Sequence, residues 1–175
     1  PYRFLVHNGE INTIRGNEDR MIAREETMDS EYFKGEFHKI TPVLDPDGSD
    51  SARLDNALEF FVMNGMPLPL AVMILIPEPW DSNKYMPKAK RDFYQYYATM
   101  MEPWDGPASI LFSDGDVMGA VLDRNGLRPS RYYITDDDQL ILSSEVGVLD
   151  IDPTKIVVKE RLRPGKMLLV DTIQG

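Results

Sequence analysis

Apolar residues between positions 50 and 65 recur at intervals of three and four, the spacing of one buried face of an α-helix. These positions are Leu54, Ala57, Leu58, Phe61 and Val62. Ser49 or Asp50 stands before them as a helix N-cap, and Asn64-Gly65 ends the pattern. Similar spacings predict three further helices: Asn17–Thr27 with Asn17 as its N-cap, a short buried helix around Leu70–Leu75, and Pro87–Met101.

Short apolar and β-branched runs between turn sequences predict strands, one at the start of the chain and six after Gly106. They are Tyr2–His7, Ala108–Phe112, Val117–Leu122, Arg131–Ile134, Gln139–Ser143, Ile156–Lys159 and Lys166–Val170. The close spacing of the later strands indicates an antiparallel meander. Helices in the middle and strands in the second half predict an α+β fold with sheet packed on helices. The length of 175 residues is typical of a single domain, here 1–175.

Composition narrows the classes of partner and site. The formal net charge is -10, which argues against nucleic acid and anionic membrane surfaces, because both require clustered Lys and Arg. The sequence contains no cysteine, so this stretch supplies no disulfide, thiolate metal site, iron–sulfur ligand or thiol nucleophile. His7 and His38 do not form a ligand set, and we expect Asp136-Asp137-Asp138 to be a solvated turn rather than a metal site.

His7-Asn8-Gly9, directly after the apolar run Phe4-Leu5-Val6, has two interpretations. Asn-Gly is typical of a type I′ hairpin turn. The same pair can also stabilise an oxyanion, with a side-chain amide and a backbone N–H side by side. The weak strand character of the next seven residues disfavours a simple hairpin without excluding it.

Two other motifs are equally open at the level of spacing. Asp50 either serves the first free N–H groups of a helix or presents an exposed carboxylate to a ligand ammonium. Arg124 and Arg128, in a turn between two strands, can hold a ligand carboxylate or an acidic neighbour. No nucleophile–base pair and no phosphate-binding glycine pattern stands out.

Several segments together resemble the glutaminase domain of glutamate synthases, which is a class II (N-terminal nucleophile) glutamine amidotransferase domain. They are HNGEINT with Arg15-Gly16-Asn17, Ser49-Asp50-Ser51 leading into Leu54-Asp55-Asn56, EPWDGPA, DRNGLRP, Ser143-Ser144-Glu145 and Arg163-Pro164-Gly165. EPWDGP and DRNGLRP make the resemblance specific. It extends from Arg3 to about Asp171.

The resemblance implies a four-layer αββα sandwich of the N-terminal nucleophile hydrolase type, incomplete at its N-terminus. Asn8 and Gly9 correspond to the oxyanion hole, with Gly9 allowing close approach of the backbone to substrate. Asp50 corresponds to the residue that receives the substrate α-ammonium group. The family's cysteine nucleophile has no counterpart here, so we expect this stretch to lack the N-terminal part of the domain and to be inactive alone.

The same resemblance implies partners and cofactors for a longer protein. L-glutamine is the expected substrate, and its ammonia passes to synthase domains that convert 2-oxoglutarate to glutamate. FMN and an iron–sulfur cluster are expected elsewhere in that protein, with none in this stretch, and a small reductase subunit is a candidate partner. The expected location is the cytoplasm, or a plastid in a plant or alga. A non-catalytic amino-acid-binding or docking domain of the same fold is the alternative.

Overall fold

The computed structural model describes residues 2–174 and contains four α-helices and seven β-strands. The helices are α1 (Ile14–Glu25), α2 (Asp50–Met63), α3 (Leu68–Leu75) and α4 (Lys88–Tyr97). The strands are β1 (Leu5–Gly9), β2 (Ala108–Ser113), β3 (Val117–Leu122), β4 (Arg131–Thr135), β5 (Leu140–Ser143), β6 (Ile156–Arg161) and β7 (Leu168–Asp171). The α+β class is confirmed.

The strands form two antiparallel sheets rather than one meander, which corrects the simpler prediction. The first sheet has the order β1-β2-β3-β7 and the second has the order β5-β4-β6. The division occurs because the segment 123–130 folds around the buried Asp123, so that the chain leaves the first sheet after β3. β6 then pairs with β4 instead of β5, and β7 returns to β3.

The main hydrophobic core lies between the helices and one face of the first sheet. Its buried members include Met21 of α1, Leu58 of α2, Leu75 of α3 and Ile110 of β2, and the α4 residue Phe93 packs against them. All four helices therefore pack on one side of this sheet. A smaller cluster around Ala120, Leu122 and Leu162 joins the opposite face to the second sheet.

The two sheets diverge beyond this smaller cluster and leave an apolar cleft of about 780 Å³ between them. β1 and β5 each form a free edge of a sheet and both contribute residues to this cleft. The described residues thus contain a helical layer and two sheet layers of the expected four-layer arrangement.

Two predicted helix boundaries were wrong. α1 begins at Ile14, three residues before the expected N-cap Asn17. The reason is that the Asn17 side chain is buried and binds elsewhere: it accepts from Thr13 Oγ1 at 2.7 Å and donates to the Pro103 carbonyl at 3.2 Å. α4 ends at Tyr97 rather than Met101, because tighter turns such as Met100 N–H to Tyr97 carbonyl follow it.

Candidate functional site

Asn8 and Gly9 form the end of β1, at the free edge of the first sheet. Asn8 lies opposite Ser109 of β2, and Gly9 lies opposite Ala108. Side chains alternate along the strand, with Leu5 buried and Asn8 exposed. Within residues 2–174, no side chain or backbone group forms a hydrogen bond with the side-chain carboxamide of Asn8. Its carboxamide is therefore available at the surface.

The direction of the Gly9 N–H follows from the pairing of its neighbours. Ala108 donates its N–H to Asp123 Oδ2 at 3.0 Å and accepts the Asp123 N–H at 2.9 Å, so both Ala108 groups point toward β3. Gly9 and Ala108 are thus a non-hydrogen-bonded pair of the antiparallel ladder. The regular bond resumes at the next residue, where Glu10 N–H donates to the Pro107 carbonyl at 3.0 Å. The Gly9 N–H therefore points away from β2, off the open edge of the sheet.

Gly9 lacks a side chain for a structural reason, which lies on its side facing Pro107. A Cβ atom on Gly9 would lie 1.8 Å from the Pro107 carbonyl oxygen, and one on Gly106 would lie 1.9 Å from the Glu10 oxygen. The two backbone segments therefore approach each other in a way that only glycine permits. This contact fixes the position of the Gly9 peptide independently of any ligand.

Asp50 is the first residue of α2, and Ser49 rather than Asp50 is the N-cap. Ser49 Oγ accepts from the Ala52 N–H at 3.2 Å. Asp50 Oδ2 accepts from the Ile11 N–H at 2.8 Å, and Oδ1 accepts from the Ser51 N–H at 2.7 Å. The carboxylate thus joins the segment after Gly9 to the start of α2. Its side chain remains 24% exposed.

His7 is a member of this corner that the sequence did not single out as functional. Its side chain is completely buried, with Nδ1 2.8 Å from Ser51 Oγ and 4.0 Å from Asp50 Oδ2. Nε2 is buried and has no partner within the described residues 2–174. Burial lowers the pKa of His7 below its ordinary value; the Asp50 carboxylate opposes this effect and the charge of Arg128 adds to it.

His7, Ser51 and Asp50 are not a nucleophilic triad. In a triad the serine and the acid contact opposite ring nitrogens. Here Ser51 and Asp50 both lie on the Nδ1 side of the ring. The group instead anchors β1 on the N-terminus of α2. The sequence signal for this role of His7 is its position in β1. Side chains alternate along the strand, so the polar residue next to the exposed Asn8 faces inward.

The Arg124–Arg128 motif separates into two environments. Arg124 forms a two-pronged ion pair with Asp105, in which Nε lies 3.1 Å from Oδ1. Arg124 therefore binds an acidic neighbour. Arg128 instead lines a pocket with other cations.

Between residues 2 and 174, no group of three His, Asp or Glu side chains is placed to hold a metal ion. Over the same range, no helix is both long and apolar enough to cross a bilayer.

Two relatives with similar sequences are glutamate synthases. The chain is 57% identical over 175 residues to the large chain of the NADPH glutamate synthase of Bacillus subtilis, covering all of this chain and 12% of that protein. It is 49% identical over 180 residues to the chloroplastic ferredoxin-dependent glutamate synthase 2 of Arabidopsis thaliana, again covering all of this chain and 11% of that protein. The chain thus spans about a tenth of the length of these relatives.

One solved structure and one family model complete the comparison. The structure is the glutamine phosphoribosylpyrophosphate amidotransferase of Bacillus subtilis with ADP and GMP, with 16% identity, a TM-score of 0.46, and coverage of 97% of this chain and 27% of that one. The model of the class-II glutamine amidotransferases matches residues 1–175. The chain belongs to the class-II glutamine amidotransferase family.

Proposed function

We propose that the chain forms part of the glutaminase unit of a glutamate synthase. The glutaminase unit hydrolyses L-glutamine to L-glutamate and ammonia. The ammonia then passes to synthase domains of the same polypeptide. There it reacts with 2-oxoglutarate in the reductive formation of glutamate. Family membership and the identity to two glutamate synthases support this assignment.

The observation that carries the proposal is the pair of free donors at the end of β1. The Gly9 N–H points off the sheet edge, and the neighbouring Asn8 carboxamide is exposed and unbonded within residues 2–174. When a nucleophile attacks the glutamine side-chain amide, negative charge develops on its carbonyl oxygen. Asn8 Nδ2–H and Gly9 N–H donate hydrogen bonds to that oxygen and lower the barrier.

Asp50 binds the α-ammonium group of glutamine in this proposal. Two backbone N–H groups hold its carboxylate in place, so little side-chain entropy is lost on binding. The Asp50 side chain is 24% exposed, and its carboxylate accepts charge-assisted hydrogen bonds from the ammonium group.

Other components of the reaction lie outside these residues. The sequence has no cysteine, so the thiol nucleophile of the family comes from another part of the polypeptide. The 175 residues alone are accordingly proposed to be inactive. For the same reason they cannot ligate an iron–sulfur cluster through thiolates, and neither the cluster nor FMN enters a step described here. A cytoplasmic or plastid location and a reductase partner follow only from the glutamate synthase assignment.

The test of the oxyanion hole is Asn8→Ala in the native polypeptide that contains these residues. We expect kcat for glutamine hydrolysis to fall by about a hundred- to a thousandfold with a small change in KM, because the lost donor acts in the transition state. The matched control is Gln139→Ala, which removes an exposed carboxamide in the turn between β4 and β5. Equal rates for Asn8→Ala and the control would contradict the role of Asn8.

Asp50→Asn tests substrate recognition and separates the catalytic proposal from the alternative. Asparagine keeps one oxygen that accepts the Ile11 N–H, whereas its NH2 group replaces the oxygen that accepts the Ser51 N–H. The charge is therefore lost together with one hydrogen bond at the start of α2, and the melting temperature of the variant is measured beside its KM. We expect KM for glutamine to rise by about 10- to 100-fold. A native polypeptide that binds glutamine through Asp50 yet never hydrolyses it would instead establish a non-catalytic amino-acid-binding domain.

A further inference from the structure

A second concave site lies between the second sheet and the segment 123–130. It is a pocket of about 590 Å³. Its walls carry one carboxylate, Glu160, and five cationic side chains. The cations are Arg128, Arg131, Lys159, Arg161 and Arg163. Such a concentration of positive charge is unexpected in a chain whose net charge is -10.

The register of the second sheet brings three of the five cations together on one face. Arg131 of β4 lies directly opposite Arg161 of β6, and Tyr133 lies opposite Lys159. Cross-strand partners share one face of the sheet, and like charges in this arrangement repel. Lys159 Nζ lies 5.6 Å from the Tyr133 ring centroid, a contact that only partly offsets the repulsion.

None of these five cations forms an ion pair within residues 2–174, either with Glu160 or with another carboxylate. Arg124, a few residues away, is by contrast paired with Asp105. The ion pair with Asp105 accounts for the position of Arg124. No ion pair within the described residues accounts for the accumulation of the other five.

Ser130 provides an independent observation at the same pocket. Its residue is only 3% exposed, and its Oγ has no hydrogen-bond partner within the described part of the chain. The backbone of Ser130 is fixed, since its carbonyl accepts the Leu162 N–H at 3.0 Å. A buried hydroxyl without a partner is unfavourable for folding, so Ser130 leaves a donor in the pocket wall that no described residue satisfies.

We propose that this pocket binds a small oxyanion, a phosphate or carboxylate group of a ligand with at least two negative charges. The Ser130 hydroxyl donates to one ligand oxygen. Arg131 and Arg161 hold the charge from the sheet face, and their mutual repulsion is relieved on binding. Arg128 and Arg163 close the pocket from the loops. The pocket shares no lining residue with Asn8, Gly9 and Asp50, although the charge of Arg128 acts on the neighbouring His7. The proposal does not depend on the proposed glutaminase activity.

The test measures anion binding to the native polypeptide by calorimetry at constant ionic strength, which holds the screening of exposed charges fixed. Inorganic phosphate, pyrophosphate and succinate are the probes. Arg131→Gln and Arg161→Gln are each expected to weaken the preferred probe by about tenfold. Lys84→Gln is the control, since it removes the same charge from an exposed loop residue. Preference for the phosphates or for succinate identifies the ligand group.

Ser130→Ala distinguishes ligand binding from a structural role. We expect the variant to lose about three- to tenfold in anion affinity while its melting temperature is unchanged or higher, because an unpartnered hydroxyl is removed. Two results would overturn the proposal. One is the absence of saturable binding of all three probes, and the other is equal affinity in Lys84→Gln and the two arginine variants.

Discussion

Carboxylates of α2 lie beside both ends of β1, but the two ends differ in how many of their backbone N–H groups these carboxylates accept. At the first end, Asp55 of α2 accepts the N–H groups of Arg3, Phe4 and Leu5 at 2.6, 2.9 and 3.0 Å. At the other end, Asp50 accepts the Ile11 N–H, and the Gly9 N–H has no partner among residues 2–174.

This difference separates a closed edge from an open one. Asp55 is 2% exposed and all its oxygens serve the backbone, so that end of the strand has no capacity for a ligand. Buried backbone donors are nearly always satisfied, and Asp55 shows how the fold satisfies them on a free edge. The Gly9 N–H, a few residues along the same edge, lacks such a partner. A donor left open beside an exposed amide is what an oxyanion site requires.

Asp55→Ala is expected to have the largest effect on stability. Its removal leaves three backbone N–H groups without a partner, and we expect a loss of about 3–5 kcal/mol in the free energy of unfolding. Hydrogen–deuterium exchange of the native polypeptide will show faster exchange of the amides of residues 3–5. Asp47→Ala, at an exposed aspartate in the preceding turn, is the control. Slow exchange in Asp55→Ala would mean that α2 does not hold this end of the strand.

Gly9→Ala tests the open end and ranks second. The added Cβ would lie 1.8 Å from the Pro107 oxygen, so the two backbones must separate. We expect a loss of about 3 kcal/mol and a displaced Gly9 N–H, and therefore loss of glutaminase activity in the native polypeptide. Thermal unfolding and kcat measure the two effects.

Gly16→Ala is the matched control for this substitution. Gly16 lies exposed in α1, and a Cβ there meets no atom within 4 Å. Alanine in a helix is more stable than glycine by about 0.5–1 kcal/mol, so this variant should melt slightly higher than the parent. If both alanine variants melt alike, the contact between Gly9 and Pro107 is not what selects glycine.

The sequence predicted best where local and tertiary preferences agree. The apolar spacing of α2, with Ser49 before it and Asn64-Gly65 after it, gave the helix that the structure shows as Asp50–Met63. Prediction failed at α1 because Asn17 resembles a cap by type, whereas tertiary contacts use its side chain. The single meander failed because strand spacing carries no information on which sheet each strand joins.

The candidate site shows the same limit. The motif around Asn8 and Gly9 and the residue Asp50 were identified by resemblance, and their catalytic roles remain predictions. His7 with Ser51, and Asp55 with the start of β1, could not be paired from the sequence. Those partners are 44 and 50 to 52 residues apart, and the pairing depends on how α2 packs against β1.

The smallest predicted effect concerns the buried imidazole between the two ends. Because burial lowers the pKa of His7 in the folded protein, the unfolded chain binds a proton more readily. Stability from this source is therefore complete above the ordinary histidine pKa of about 6.5 and is lost as pH falls through the lowered folded value.

One proton changes the free energy of unfolding by at most about 1.4 kcal/mol per pH unit. We expect His7→Asn to flatten the dependence of stability on pH between about 7 and 5. Parallel curves for His7→Asn and the parent would show that the imidazole is not held neutral by burial, and that the anchor of β1 tolerates its charge.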